Sequence, residues 1–253
     1  MELIVHPDAG LLVKAAAARL ITALVDAQAQ RGGASLVLTG GGIGIALLRA
    51  VRTSPALDAV NWSKVDVWWG DERFVPANSP DRNARQAREA LLSHVPIDEK
   101  RVFEMGALAA AGGSADLADG YVDPDRAAVD YTAALAARAP EGAAVPAFDV
   151  LLLGIGPEGH VASIFPHSPA AGAKQPVVAV RDCPKPPPTR VSFTFPTIQA
   201  ARQVWVISAG EEKADAVAAA VAGADPLDLP AGGARGLERT LWLVDRAAAS
   251  RAG

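Results

Sequence analysis

Phe148-Asp149-Val150-Leu151-Leu152-Leu153 runs without a break into Gly154-Ile155-Gly156-Pro157-Glu158-Gly159-His160. The first half is a short, almost continuous apolar run. A strand with one wet face alternates apolar and polar residues, whereas a run without alternation is covered on both faces, as in a parallel sheet between helices. The second half cannot extend that strand. Its glycines break the pattern and frame a glutamate and a histidine, so Phe148–Leu153 is expected to end in a polar turn at the edge of a sheet.

The same grammar recurs on either side. Leu3–Val5, Ser35–Leu38 and Val65–Trp69 read as further buried strands, and Val102–Glu104 as a short one. Asp8 is placed to cap a helix running to about Gln30, stopped by Arg31-Gly32-Gly33. Helices are also expected from the glycine loop to Arg52, over Asp81–Leu92, over Pro124–Arg138 and over Glu211–Ala222. Ala109–Gly120 and Leu229–Arg235 read as loops, and Leu241–Val244 as a last strand before a short tail helix. Strands separated by helical segments make βαβ units. The expected class is α/β, a doubly wound and mostly parallel sheet flanked by helices. Val177–Arg181, Val191–Phe195 and Val204–Ile207 follow one another without helices, so antiparallel pairing is expected there.

With 253 residues the chain fits one domain, 1–253. Half the residues are hydrophobic and 21% are charged, which excludes a disordered or fibrous protein. The formal net charge of −4 argues against broad binding to nucleic acid or a membrane surface. Cys183 is the one cysteine and has no partner for a disulfide or a zinc site. Met1–Pro7 lacks the basic and apolar regions of a signal peptide, so a cytoplasmic protein is expected.

Ligands of open α/β sheets sit at the carboxyl ends of strands, and the residues there carry the chemistry. Thr39-Gly40-Gly41-Gly42-Ile43-Gly44 joins a strand to a helix and offers bare backbone N–H groups to an anion. It lacks the Gly-Lys-Ser/Thr of a P-loop, and Leu47 stands where a Rossmann loop has its third glycine. Gly70-Asp71-Glu72-Arg73 sets two carboxylates and a guanidinium at a strand end, suited to sugar hydroxyls, to a proton, or to phosphate. His160 titrates near neutrality and is the natural general base, with Glu158 close enough to orient it. Lys185-Pro186-Pro187-Pro188-Thr189-Arg190 presents two cations on a stiff arm, which also reads simply as a rigid surface loop. Lys213 stands in a first helical turn, where a cation opposes the helix dipole unless an anion is bound. His160 and His167 lack metal-ligand spacing, and no Gly-x-Ser-x-Gly elbow is present, so neither a metal nor a serine nucleophile is expected.

Taken together, Thr-Gly-Gly after a strand, Gly-Asp-Glu-Arg, Gly-Ile-Gly-Pro-Glu-Gly-His-Val-Ala-Ser-Ile-Phe-Pro, Lys-Pro-Pro-Pro-Thr-Arg and Ala-Gly-Glu-Glu-Lys resemble the 6-phosphogluconolactonase family, in order and spacing and over nearly the whole chain. The resemblance implies the glucosamine-6-phosphate isomerase fold. It implies hydrolysis of 6-phospho-D-glucono-1,5-lactone in the oxidative pentose phosphate pathway, without metal or cofactor. It implies His160 as the base, with Glu158 tuning it, and Asp71 on sugar hydroxyls or on His160. It implies Arg73 on the phosphate or the developing oxyanion, and Gly41, Gly42, Arg190 and Lys213 on the phosphate. The chain departs from the family pattern at Glu158, where Asp is usual. It departs again at Gly42, Ile43 and Gly44, which replace the usual Ser-Thr-Pro. The implied partner is a phosphorylated sugar lactone, with no nucleic acid and no membrane, and the implied state is a monomer or small homo-oligomer. A sugar-phosphate isomerase/deaminase on the same fold is the nearest rival. A non-enzymatic sensor is a more distant one, since the chain has no basic helix-turn-helix segment.

Overall fold

Six strands form the central sheet in the order β1 (Glu2–His6), β9 (Arg239–Asp245), β8 (Gln203–Ser208), β5 (Val150–Gly154), β2 (Ala34–Leu38) and β3 (Val65–Trp69). Every neighbouring pair in it is parallel. The computed structural model describes residues 1–109 and 120–252. The expectation of a loop over Ala109–Gly120 therefore falls mostly outside the described residues.

Strand side chains alternate between two cores, which is why the strands show no polar face. Leu36 and Leu38, Val150 and Leu152, and Trp205 and Ile207 point to one side. There they meet α1 (Ala9–Arg31), α2 (Gly41–Arg52) and α3 (Asn83–Ala90) through Leu20, Leu24, Leu48 and Ala87. Val37, Leu151, Leu153, Val204 and Val206 point to the other side, against α4 (Pro124–Ala136) and α7 (Ala214–Val221) through Tyr131, Leu135 and Val217. Asp8 caps α1 by accepting from the Leu11 N–H at 2.8 Å, and Gly32 ends it in the left-handed region, as the sequence indicates.

The antiparallel pairing forms a separate three-stranded sheet, β4 (Asp71–Arg73), β7 (Arg190–Phe193) and β6 (Val177–Val180). It does not extend to Val204–Ile207, which a short helix separates from β7 and which is parallel in the main sheet as part of β8. The chain crosses from β3 to β4 at Gly70, whose N–H still bonds Leu38 in the main sheet and whose carbonyl already accepts from Phe193 in the small one. Two short helices, α5 (Pro169–Gly172) and α6 (Phe195–Ile198), are each one turn long with proline in the first turn, too short to leave a periodic signal.

Four expectations are corrected. Val102 makes only an isolated bridge to Val67, so no strand covers 102–104. Phe148 and Asp149 precede β5, because Asp149 turns its carboxylate onto the Ser35 N–H and Arg31. Residues 211–222 open with a 3-10 turn, Glu211–Lys213, before α7 begins. The tail after β9 is a series of turns rather than a helix.

Glu72 is the buried fastener of this frame. It is 1% exposed, and its carboxylate accepts the backbone N–H groups of Arg73, Asn83 and Ala84, each at 2.8 Å. It thereby satisfies the open N-terminus of α3 and ties that helix to β4. Buried Arg82 lies 3.7 Å away. Glu72→Gln places an amide N–H against backbone donors and leaves Arg82 without its charge partner. We expect a loss of about 2–5 kcal/mol, read as a lower urea midpoint. A change under about 1 kcal/mol would contradict this role for the carboxylate.

Candidate active site

The strand order reverses between β2 and β5, and a cavity of about 370 Å³ opens at the carboxyl ends of β2, β5 and β8. Among the residues singled out from the sequence, Gly41, Gly42, Asp71, Arg73, His160, Arg190 and Lys213 all line it. Glu158 stands just behind, bonded to His160.

One wall is the N-terminus of α2. Gly40 is its N-cap and brings no side-chain cap, so the first N–H groups of this 12-residue helix keep no internal partner. Gly41 has φ 81, a backbone conformation that favours glycine, and a Cβ at Gly41 or Gly42 would meet only open space. Bare N–H groups and the positive helix end face the cavity together, the arrangement that suits a phosphate. Lys213 also lines the cavity. Burial lowers its pKa, partly opposed by Glu212, so the ammonium is short of solvation and favours a bound anion.

His160 lines the same cavity. Its ring stacks on Phe165 with centroids 4.5 Å apart, and Nδ1 lies 3.0 Å from Glu158 Oε1. A carboxylate only accepts, so Nδ1 carries the proton and Nε2 is left as the basic nitrogen. Nε2 has no hydrogen-bond partner among the described residues. Burial pulls the imidazole pKa below 6.5, with Glu158 opposing and nearby Lys185 assisting, so the ring is neutral at pH 7. Glu158 feels burial pushing its pKa up. The hydrogen bond from Lys185 Nζ at 2.9 Å, a backbone N–H and the Lys185 charge outweigh that and keep it ionised. Gly156 makes the pair possible, because a Cβ there would stand 2.0 Å from His160 Nδ1 and 2.5 Å from Glu158 Oε2.

Two expectations change. Asp71 has no bond to His160. Its Oδ2 accepts from Ser163 Oγ at 2.7 Å, so it is Glu158 that hydrogen-bonds the histidine. Arg190 is 5% exposed and holds the protein together as much as it faces a ligand. Its guanidinium donates to Pro187 O at 3.2 Å, Lys185 O at 3.1 Å and Ser163 Oγ at 3.5 Å. The three bonds clamp the proline arm onto the site. Glu72, the other carboxylate of Gly-Asp-Glu-Arg, points into the frame and not into the cavity. Arg73 donates to Asp81 O at 2.7 Å and borders both the cavity and a neighbouring groove that also contains Gly41 and Gly42.

Sequence reading assigns no role to Asn83, Ser163 or Ser208. Asn83 and Ser208 line the cavity, and Ser163 sits between Asp71 and Arg190. Ser163 falls inside the Gly-His-Val-Ala-Ser-Ile-Phe-Pro block, but its partners lie far away in the chain, and Asn83 and Ser208 stand in ordinary contexts. Among the described residues no cluster of three or more His, Cys, Asp or Glu could hold a metal ion, and no helix is long and apolar enough to cross a membrane.

These elements are those of a known sugar-phosphate fold. Residues 7–242 match the family model described as glucosamine-6-phosphate isomerases/6-phosphogluconolactonase, and the chain belongs to that family. A protein of Streptomyces coelicolor named 6-phosphogluconolactonase is 54% identical over 99% of this chain and 94% of its own length. One of the same name from Mycobacterium tuberculosis is 51% identical over 98% and 96%. The solved 6-phosphogluconolactonase of Trypanosoma brucei superposes with TM-score 0.81 at 29% identity, covering 99% of this chain and 98% of that one. A monomeric glucosamine-6-phosphate deaminase superposes with TM-score 0.79 at 18% identity, which shows a shared fold alone.

Gly156→Ala tests the geometry without a substrate. The new methyl group displaces the imidazole from Glu158, and we expect the downfield Nδ1–H proton resonance of His160 to disappear while circular dichroism is unchanged. Its persistence would show that the turn absorbs the methyl group elsewhere.

Proposed function

We propose that this chain hydrolyses 6-phospho-D-glucono-1,5-lactone to 6-phospho-D-gluconate, the lactone-opening step of the oxidative pentose phosphate pathway, without a metal, a cofactor or a covalent intermediate. The observation that carries the reading is one cavity lined by a neutral, oriented histidine, an uncapped helix N-terminus and a partly desolvated lysine. The names of the relatives at 51–54% identity support the same substrate.

The phosphate binds the N–H groups of Gly41 and Gly42 and the ammonium of Lys213. Arg190 offers its remaining N–H groups but mainly shapes the wall. His160 Nε2 takes a proton from water as the water oxygen adds to the lactone carbonyl carbon. The oxyanion that forms is stabilised by Arg73, where donors placed for the transition state act most strongly. The tetrahedral carbon then releases the ring oxygen, which takes the proton back from the imidazolium. Water has been added across one C–O bond, and the base returns to its starting state. Asp71, held by Ser163, faces the sugar hydroxyls. A δ-lactone is reactive, so general-base catalysis of about 10²–10⁴ together with positioning is enough. On this reading residues 1–253 act as one catalytic domain, a cytoplasmic monomer or small homo-oligomer that binds neither nucleic acid nor membrane.

The direct experiment is a lactonase assay on freshly prepared 6-phosphogluconolactone with the uncatalysed rate subtracted. Ammonia released from glucosamine 6-phosphate, with no lactone hydrolysis, would move the chain to the isomerase/deaminase activity. His160→Ala should lower kcat by about 10²–10⁴ with a smaller effect on KM. Because only the neutral ring is a base, wild-type kcat/KM should rise with pH through a midpoint below 6.5, the ordinary imidazole value. A midpoint above 6.5 would mean that another group limits the rate.

Lys213→Ala separates binding from chemistry. Loss of a charge-assisted bond in a half-buried site should raise KM for the phosphorylated lactone roughly 10-fold or more. Activity on unphosphorylated gluconolactone should hardly change. Equal losses on both substrates would remove Lys213 from the phosphate site.

A further inference from the structure

Lys185 is absorbed neither by the phosphate site nor by the cavity lining, yet it touches the catalytic pair. Its Nζ lies 2.9 Å from Glu158 Oε2, while Glu158 Oε1 lies 3.0 Å from His160 Nδ1. The two carboxylate oxygens thus have different partners. We infer that Lys185 is a positioning residue: by anchoring Oε2 it fixes the rotation of the Glu158 carboxylate and so holds Oε1 on the base.

The need for an anchor follows from the side chain. Glu158 rises from a glycine-framed turn and is part-exposed, and its terminal torsion is broad and only weakly preferred. One hydrogen bond leaves that torsion free to carry Oε1 away from the imidazole. Two bonds, one to each oxygen, leave a single orientation. The family's usual Asp has one fewer torsion, so the longer residue in this chain places a greater demand on the second bond.

Exposed lysine–glutamate pairs generally contribute little, because ordering two flexible chains offsets the attraction. Here the ordering is prepared in advance. Three successive prolines stiffen the backbone just beyond Lys185. Arg190 clamps that segment from inside through Lys185 O and Pro187 O, and the Cys183 N–H bonds Pro188 O at 2.9 Å. The buried guanidinium therefore contributes to the site at second hand, by holding the arm from which Lys185 reaches Glu158.

The charges facing His160 come from several sides. Glu158 and Asp71 favour the imidazolium, Lys185 opposes it, and the Phe165 face is uncharged. Lys213 stands within the field of both Lys185 and Glu158. Removing Lys185 takes away a direct repulsion, which raises the His160 pKa, and releases Oε1 from Nδ1, which lowers it, so the Nδ1–H contact itself is the readout of the anchor.

The test compares Lys185→Met with Lys185→Arg. The downfield Nδ1–H proton of His160 is followed by NMR without substrate, with His160→Gln used to assign its resonance. The methionine variant should lose or broaden that resonance, and the arginine variant should keep it. In kinetics, a part of the test that rests on the lactonase reading, the methionine variant should lose about 10-fold in kcat with less than about 2-fold change in KM. An Nδ1–H resonance of His160 that persists unchanged in the methionine variant would overturn the inference. So would a KM raised about 10-fold at constant kcat, which would make Lys185 a ligand of the substrate. Lys185→Gln provides the same comparison if the methionine variant does not fold. The NMR result is independent of substrate, so a chain inactive on the lactone would defeat the functional reading and leave this one standing or failing by itself.

Discussion

The parallel ladder between β2 and β5 stops early, and the site depends on that. β5 pairs with β8 from Val150 to Gly154, but with β2 only at Val150 and Leu151. Beyond Leu151 the two strands diverge, because the chain leaves one for each half of the sheet. Backbone groups at the gap lose their ladder partners. One of them, the Gly154 N–H, is taken by the Thr39 hydroxyl at 3.3 Å. The gap cannot close by further pairing, and it becomes the floor of the cavity. From its two lips rise the glycine loop with its helix end and the turn that carries Glu158 and His160.

Around that gap the positive groups divide their work. The α2 N-terminus and Lys213 are left facing the cavity, while Arg82 and most of Arg190 are consumed inside the frame. Burial decides between these fates. A guanidinium only 2–5% exposed must fill its donors with carbonyls or a carboxylate, as both buried arginines do. A lysine at the cavity rim keeps its donors available. The same logic separates the adjacent carboxylates: Glu72 is surrounded by backbone donors, and Asp71 keeps one side toward the cavity.

Burial also sets the chemistry of His160. The site excludes enough water to keep the imidazole neutral, yet Glu158 sits close enough to fix which nitrogen is basic. These effects act in opposite directions on the pKa and in the same direction on function. Desolvation supplies the neutral ring, and the carboxylate supplies its tautomer and aim.

Much of this was legible in the sequence, for identifiable reasons. The apolar run at Val150–Leu153 could be covered on both faces only in a parallel sheet, and glycines at strand ends marked where the chain turns to expose backbone. Asp8 and Gly32 bounded α1 because capping is local. The Glu158–His160 pairing is a short-range contact, and the glycines that frame Glu158, Gly156 and Gly159, marked the turn. The rest was settled by residues distant in the chain. Glu72 meets Asn83 and Ala84, Arg190 turns back on Lys185 and Ser163, and Asp71 meets Ser163 at a separation of 92 residues. The sequence sets which side chains stand at strand ends, since periodicity and turn chemistry are local. Which of those charges remains free for a ligand is decided only when the tertiary fold buries some and must satisfy each one it buries.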